Sequence, residues 1–308
     1  DARGMTRGIA PLILGYQAFD RGINIAGVIL NQLGGSRHEA KLRAVITHYT
    51  DVPVLGAIQR DERLTIVERH LGLMPSNEAH AAGARIGGIA DCIAEQVDID
   101  RLLALAAQAT PSPAPLPVAT GAAAGTQVRI GIARDAAFGF YYPGDIEALQ
   151  AAGAELVSFD TLHSTALPAV DGLFIGGGFP EVHMEALSAN QGLRRELRTA
   201  IEGGMPAYAE CGGLMYLARS IEWNGRSATM IGVIPADIVM HRRPVGRGYV
   251  QLRETGKSPW PRAGAAHAPL IRAHEFHYSS VENLPPGMTF AYDVTRGQVL
   301  VAGGDVRE

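Results

Sequence analysis

The sequence predicts an α/β protein built from two doubly wound domains, and three observations carry that expectation. Short apolar runs of the buried parallel-strand kind alternate with helical stripes along the chain. Glycine is abundant, at 37 of 308 residues, which suits many tight strand-to-helix turns. The alternation stops and restarts around residues 110–126, TPSPAPLPVATGAAAGT, where Pro111, Pro113, Pro115 and Pro117 fall on alternate positions. Alternating proline forbids helix and favours an extended spacer. The chain is therefore read as a domain over 1–109, a linker over 110–126 and a second domain over 127–308.

In the first domain, Ile25–Asn31 (IAGVILN) reads as a buried strand. Ser36–Tyr49 reads as a helix, because Leu42, Val45, Ile46 and Tyr49 recur at the spacing of one helical face. Val52–Ile58 (VPVLGAI) is a second strand, and Ile86, Ile89, Ile93 and Val97 mark another helical stripe. Two strands make a thin sheet for a doubly wound domain, so further strands are expected upstream of Asp1. In the second domain Val128–Ala133, Glu155–Phe159, Gly172–Ile175 and Met205–Ala209 read as strands, with a helix at Asp145–Ala152. Leu193, Leu197, Ala200 and Ile201 define another helix, ended by Gly203 and Gly204. Tyr249–Glu254 and Ile271–Tyr278 read as later strands.

Composition narrows the function classes. Hydrophobic residues reach 47% and charged residues 19%, which excludes disorder over most of the length. The net charge of −4 lacks the basic footprint of a nucleic-acid binder. No apolar run approaches the ~20 residues of a membrane helix, and no signal-peptide pattern follows Asp1. Two cysteines cannot build a disulfide framework and suit a reducing compartment, so a cytoplasmic protein is expected.

The sharpest chemical signal is Ala207–Leu217, AYAECGGLMYL. A short apolar strand meets Cys211, two glycines follow, and an apolar helix begins, with small residues at 209 and 213 as in a nucleophile elbow. Such a turn holds its side chain exposed at the end of a sheet, and the free N–H groups of the next helix are expected to lower the thiol pKa. Gly212 can present its N–H to an oxyanion. The competing reading is a buried structural cysteine, and Cys92, mid-helix with no glycine elbow, is assigned that role.

The second signal is FIGGGFPE, residues 174–181. Its glycines let backbone N–H groups approach an anion, so Gly177 or Gly178 could supply a second oxyanion donor; a plain strand-to-helix turn is the alternative. His274 and His277 lie together in AHEFHYS. Tyr141 and Tyr142, before Pro143, could line an aromatic groove or simply pack. Arg60, Asp61 and Arg63 follow a strand, where ligand sites gather in α/β folds, but a solvated charged face fits equally. His183 is read as helix surface. Gly256-Lys257-Ser258 imitates the end of a P-loop, but Gln251 stands where the first glycine belongs and Pro259 would break the helix.

GMTRGIAPLILGY, GVILNQLGGSRHE, VPVLGAI, RDERLTIVERHLGLMPSNE, GIARDAAFGFYYP, FIGGGFPE, YAECGGLMYL and AHEFHYS together resemble the cobyrinic acid a,c-diamide synthases. These belong to the cobyrinic-acid-synthase type of glutamine amidotransferases, and the resemblance runs from Gly4 to about Gly297. It implies an incomplete P-loop, dethiobiotin-synthetase-like domain followed by a flavodoxin-like class I glutamine amidotransferase domain. The implied chemistry is amidation of the a- and c-side-chain carboxylates of cobyrinic or hydrogenobyrinic acid. Glutamine would be opened at Cys211 through a thioester, with Gly177, Gly178 and Gly212 around the oxyanion. ATP and Mg2+ would activate the carboxylates as acyl phosphates. Asn31 would face the nucleotide base, or else close a strand-end turn. The family's P-loop lies before the DARGMTR segment, and its catalytic histidine comes later than AHEFHYS. Truncation at both ends is therefore expected, with His277 a weaker candidate base that could instead order a neighbouring strand. A nickel-sirohydrochlorin diamide synthase, or an inactive tetrapyrrole- or partner-binding remnant, would carry the same motifs. Glutamine and a corrin are the expected small-molecule partners, and a homodimer is a candidate assembly.

Overall fold

The computed structural model describes residues 1–66, 82–109, 128–260 and 270–296. The chain divides into two compact units, Asp1–Val118 and Ala119–Glu308. The proline-rich stretch 110–126 lies outside the described residues.

The first unit runs α1 (Ile9–Phe19), β1 (Val28–Leu33), α2 (Ser36–Tyr49), β2 (Val54–Gln59), a 3-10 turn (Glu62–Leu64), α3 (Ala82–Ala94) and α4 (Ile99–Ala106). Strands β1 and β2 are parallel, with Val28 opposite Val54 and Leu30 opposite Ala57. The face expected on α2 is the face it buries: Leu42 and Ile46 are fully enclosed, packed with Ile9, Ile13, Leu30 and Leu33, while Tyr49 at the helix end stays exposed. The α3 stripe is shorter than its periodicity suggests. The helix stops at Ala94, and Val97 bridges back to Gly56 in β2. A Cβ on Gly56 would stand 2.7 Å from Val97 Cγ2, so the strand admits that bridge only with glycine there. Helix α4 was not anticipated, although Asp98 caps it by accepting from the Arg101 N–H.

The second unit begins β3 (Val128–Ala133), β4 (Phe138–Phe140), α5 (Pro143–Ala151), β5 (Ala154–Phe159), β6 (Gly172–Ile175), β7 (Gly177–Gly178), α6 (Met184–Ala189), α7 (Gln191–Glu202), β8 (Ala207–Ala209) and α8 (Gly212–Leu217). Four of these strands form a parallel sheet in the order β5-β3-β6-β8. By rank along the chain this is 2-1-3-4, the flavodoxin-like arrangement. Ile175, Phe138, Leu193, Leu197, Met184 and Tyr216 fill its core. Helix α7 buries Leu193 and Leu197 and is capped by the Asn190 side chain; Gly203 closes it and Gly204, at φ +100°, turns the chain out.

Beyond α8 come β9 (Ser220–Trp223), β10 (Arg226–Thr229), β11 (Asp237–Met240), β12 (Gly246–Glu254), β13 (Ile271–His277), β14 (Ser279–Glu282) and β15 (Tyr292–Arg296). They make two further sheets, β10-β9-β11-β14 and β13-β12-β15. The strand expected over 271–278 is interrupted at Tyr278, where the chain passes from one sheet to the other. That switch is a one-residue break inside an apparently continuous β pattern, so periodicity does not mark it.

Candidate active site

Cys211 leaves the C-terminal end of β8 with φ +51° and ψ −116°, a backbone conformation that L-residues rarely adopt. The turn is held on both sides: the Glu210 N–H donates to the Ile175 carbonyl at 3.1 Å, and the Gly213 N–H donates to the Glu210 carbonyl at 2.8 Å. Its glycines are required by space. A Cβ on Gly213 would lie 2.1 Å from the Ile175 carbonyl oxygen, and one on Gly212 would lie 2.9 Å from both Gly178 N and Pro180 Cδ. The result is an exposed cysteine at the end of the parallel sheet, whereas Cys92 is buried.

The three-glycine segment after β6 comes to the same place. Gly177 and Gly178 pair antiparallel with Phe140 and Phe138 of β4. A Cβ on Gly178 would fall 1.9 Å from the Ala137 carbonyl oxygen, and one on Gly177 would fall 3.6 Å from Cys211 Cβ. The backbone N–H groups of Gly212 and Gly178 both favour the Cys211 thiolate. Of the two glycines left open by sequence, Gly178 is the one whose N–H acts on the sulfur, while Gly177 gives clearance beside the Cys211 Cβ.

The thiol pKa is not lowered overall, contrary to the expectation from the helix start. Desolvation pushes it above its ordinary value, and the carboxylates of Glu181 and Glu210 add to the rise against the two N–H groups. Helix α8 spans six residues, too short for a large dipole, and the sulfur is desolvated although the residue as a whole is exposed.

Two supporting residues escaped the sequence reading. Asp135 accepts from the Ala137, Phe138 and Thr161 N–H groups and from the Thr161 hydroxyl, at 2.6–3.0 Å, and so fixes the loop that carries β4 under Gly178. Glu181, 8% exposed, is pushed up to about 7 by burial. Its place straight after GGGFP was the available signal. Tyr141 is a support and not a groove wall: its hydroxyl donates to the Ala133 carbonyl at 2.6 Å and accepts from the Gly176 N–H at 3.2 Å. Its neighbour Tyr142 is 74% exposed. His183 precedes α6 as its N-cap, with Nε2 buried and unpartnered, rather than lying on the helix surface.

His277 ends β13. Its Nδ1 pairs with the Ser279 carbonyl at 2.8 Å and its Nε2 stands 3.6 Å from Glu275. The opposite residue, Gly246, leaves room for that ring, since a Cβ there would lie 2.1 Å from His277 Nε2. The principal influences on the Cys211 thiol are burial, Gly212, Gly178, Glu181 and Glu210; His277 is engaged with its own strand neighbours. His274 packs edge-on against Tyr249.

In the first unit, Asn31 is an exposed residue of β1 whose side-chain oxygen accepts from the Gln32 N–H at 2.8 Å. A cavity of about 200 Å³ beside it is lined mainly by apolar residues, among them Ile9, Ile13 and Ile25. Asp61 and Arg63 pair with each other on the surface at 2.6 Å, and Arg63 holds the Asp61 carboxyl down to about 2. Among the described residues no group of three His, Cys, Asp or Glu side chains could hold a metal ion, and no helix is long and apolar enough to cross a membrane.

Comparison with known proteins agrees with the geometry. Residues 129–305 match the CobB/CobQ-like glutamine amidotransferase domain. A cobyrinate a,c-diamide synthase of Magnetococcus marinus is 44% identical over 96% of this chain and 64% of its own length. That of Methanosarcina acetivorans is 40% identical over 96% of this chain and 63% of its own length, and that of Dehalococcoides mccartyi 41% identical over 90% and 60%. The chain therefore spans somewhat less than two thirds of the length of these curated relatives. Both the matched domain and the strained Cys211 turn place it in one group: the chain belongs to the CobB/CobQ-like glutamine amidotransferase family.

Proposed function

We propose that the second unit is a glutaminase whose ammonia serves the amidation of corrin side-chain carboxylates. Cys211 sulfur attacks the side-chain amide carbon of glutamine, and the Gly178 and Gly212 N–H groups receive the charge on its oxygen. The thiol proton passes to the leaving nitrogen, ammonia departs, and water opens the thioester to give glutamate. Because the resting thiol is held up, the reaction needs a proton acceptor, and His277, its Nδ1 paired with the Ser279 carbonyl, stays a candidate for that role. The ammonia then displaces phosphate from acyl phosphates of the a- and c-side chains of cobyrinic or hydrogenobyrinic acid. ATP and Mg2+ would supply that activation. The observation that carries the reading is the strained Cys211 flanked by two backbone N–H groups; the relatives' names supply the substrate. The test is Cys211→Ala in the full-length enzyme. Glutamine-dependent amidation should disappear while ammonia-dependent amidation persists. Retained glutamine-dependent turnover would refute the assignment.

A further inference from the structure

We propose that Glu181 recognises the α-ammonium of glutamine in the Cys211 site, and that this pairing couples the substrate's arrival to release of the thiol proton. The inference rests on the glutaminase reading and deepens it.

Three observations carry it. Glu181 follows β7, Phe179 and Pro180, and Pro180 Cδ lies within 2.9 Å of where a Gly212 Cβ would be, so this segment is packed on the elbow itself. Glu181 as a residue is only 8% exposed, and the donor found for its carboxyl among the described residues is its own backbone N–H. Its charge nevertheless reaches the Cys211 sulfur.

Among the described residues, the charges named as acting on the sulfur have one sign. Glu181 comes from the turn after β7 and Glu210 from the end of β8, with the Tyr208 hydroxyl donating to Glu210 at 3.1 Å. The neutral N–H groups of Gly178 and Gly212 complete the principal influences. Among the described residues, none of the principal influences on either Glu181 or Cys211 is a cation. Such a site complements a small molecule that brings its own positive charge, as an α-amino acid does. With the site empty, ionised Glu181 adds to burial in keeping the sulfur protonated. Pairing with an ammonium leaves Glu181 ionised but the pair neutral, and any proton on its carboxyl goes to solvent. The sulfur then faces one negative charge fewer and ionises more readily. A buried carboxyl that is costly in the empty site thus becomes a device for activating the thiol only when substrate is present.

Glu181→Gln in the full-length enzyme tests both halves, with Glu181→Asp as the variant that keeps the charge. The first readout is the rate of Cys211 alkylation by iodoacetamide against pH, with no substrate present. The profile should move to lower pH in Glu181→Gln and stay near wild type in Glu181→Asp. An unmoved profile in Glu181→Gln overturns the coupling, whatever the protein's activity. The second readout compares hydrolysis of L-glutamine with that of 4-carbamoylbutanoate, which lacks the amino group. Loss of a charge-assisted contact should cut the preference for glutamine by roughly tenfold or more, mainly through KM. Misfolding would lower both substrates together. A wild-type enzyme that hydrolyses glutamine and a Glu181→Gln variant that keeps the full preference overturn the recognition claim alone. A wild-type enzyme that hydrolyses neither amide overturns the glutaminase reading and this claim with it.

Discussion

Replacing Cys211 by glycine should stabilise the protein relative to replacing it by alanine, although both changes remove the sulfur. At φ +51° and ψ −116° the Cβ is what strains the backbone, and alanine keeps the Cβ whereas glycine does not. A residue held in such a region costs about 1–3 kcal/mol. Against that, glycine gains freedom in the unfolded chain and loses about 0.4–1 kcal/mol. The difference leaves glycine ahead by about 1 kcal/mol, or about 2–4 °C in melting temperature for a unit of this size. Urea and thermal unfolding of the two variants, compared directly, measure it. A glycine variant no more stable than the alanine variant would show that the turn stores no strain. The account of Cys211 as a side chain held in place at an energetic cost would then fail.

Gly178→Ala drives a Cβ into the Ala137 carbonyl oxygen, 1.9 Å away, and must separate β7 from β4. Glutamine-dependent kcat should fall by about 100-fold or more, the scale of losing one oxyanion donor, while ammonia-dependent turnover is spared. Tyr141→Phe removes the hydroxyl that ties the Gly176 N–H to the Ala133 carbonyl, and should cost about 1–2 kcal/mol in urea unfolding. Asp237 is held from its ordinary 3.8 down to about 2 by the Arg219 guanidinium, with help from the Asn283 amide and the Ser220 hydroxyl. A depressed carboxyl contributes stability that is present above 3.8 and lost as the pH falls towards 2. The stability gap between wild type and Asp237→Asn should accordingly be constant at neutral pH and close across that acid range.

Much of the parallel sheet was legible because its strands are short apolar runs with glycine or a helical stripe on either side. Val128–Ala133 and Gly172–Ile175 fall where the pattern puts them, as does helix α2 (Ser36–Tyr49) in the first unit. Of the later sheets, β12 and β13 were expected, but the mixed sheet built on β9 was illegible. Strands such as Ser220–Trp223 and Arg226–Thr229 are four residues long and half exposed, so neither alternation nor an apolar run marks them. One available signal was overlooked: Asn224-Gly225, both at positive φ, is a hairpin turn joining that pair. At the site, the elbow and the glycine clearance were readable because steric demands write themselves into residue type. The direction of the Cys211 pKa was not, since it depends on burial and on Glu181 and Glu210 approaching from separate elements. Asp135 was equally invisible, being an ordinary acidic residue until the fold wraps four donors around it.

The most direct measurement is covalent labelling with the glutamine analogue 6-diazo-5-oxo-L-norleucine, followed by mass spectrometry of the peptides bearing the two cysteines. The elbow account predicts stoichiometric modification of Cys211, protection by glutamine, and an untouched Cys92. Labelling confined to Cys92, or none on Cys211 in an enzyme that consumes glutamine, would contradict it.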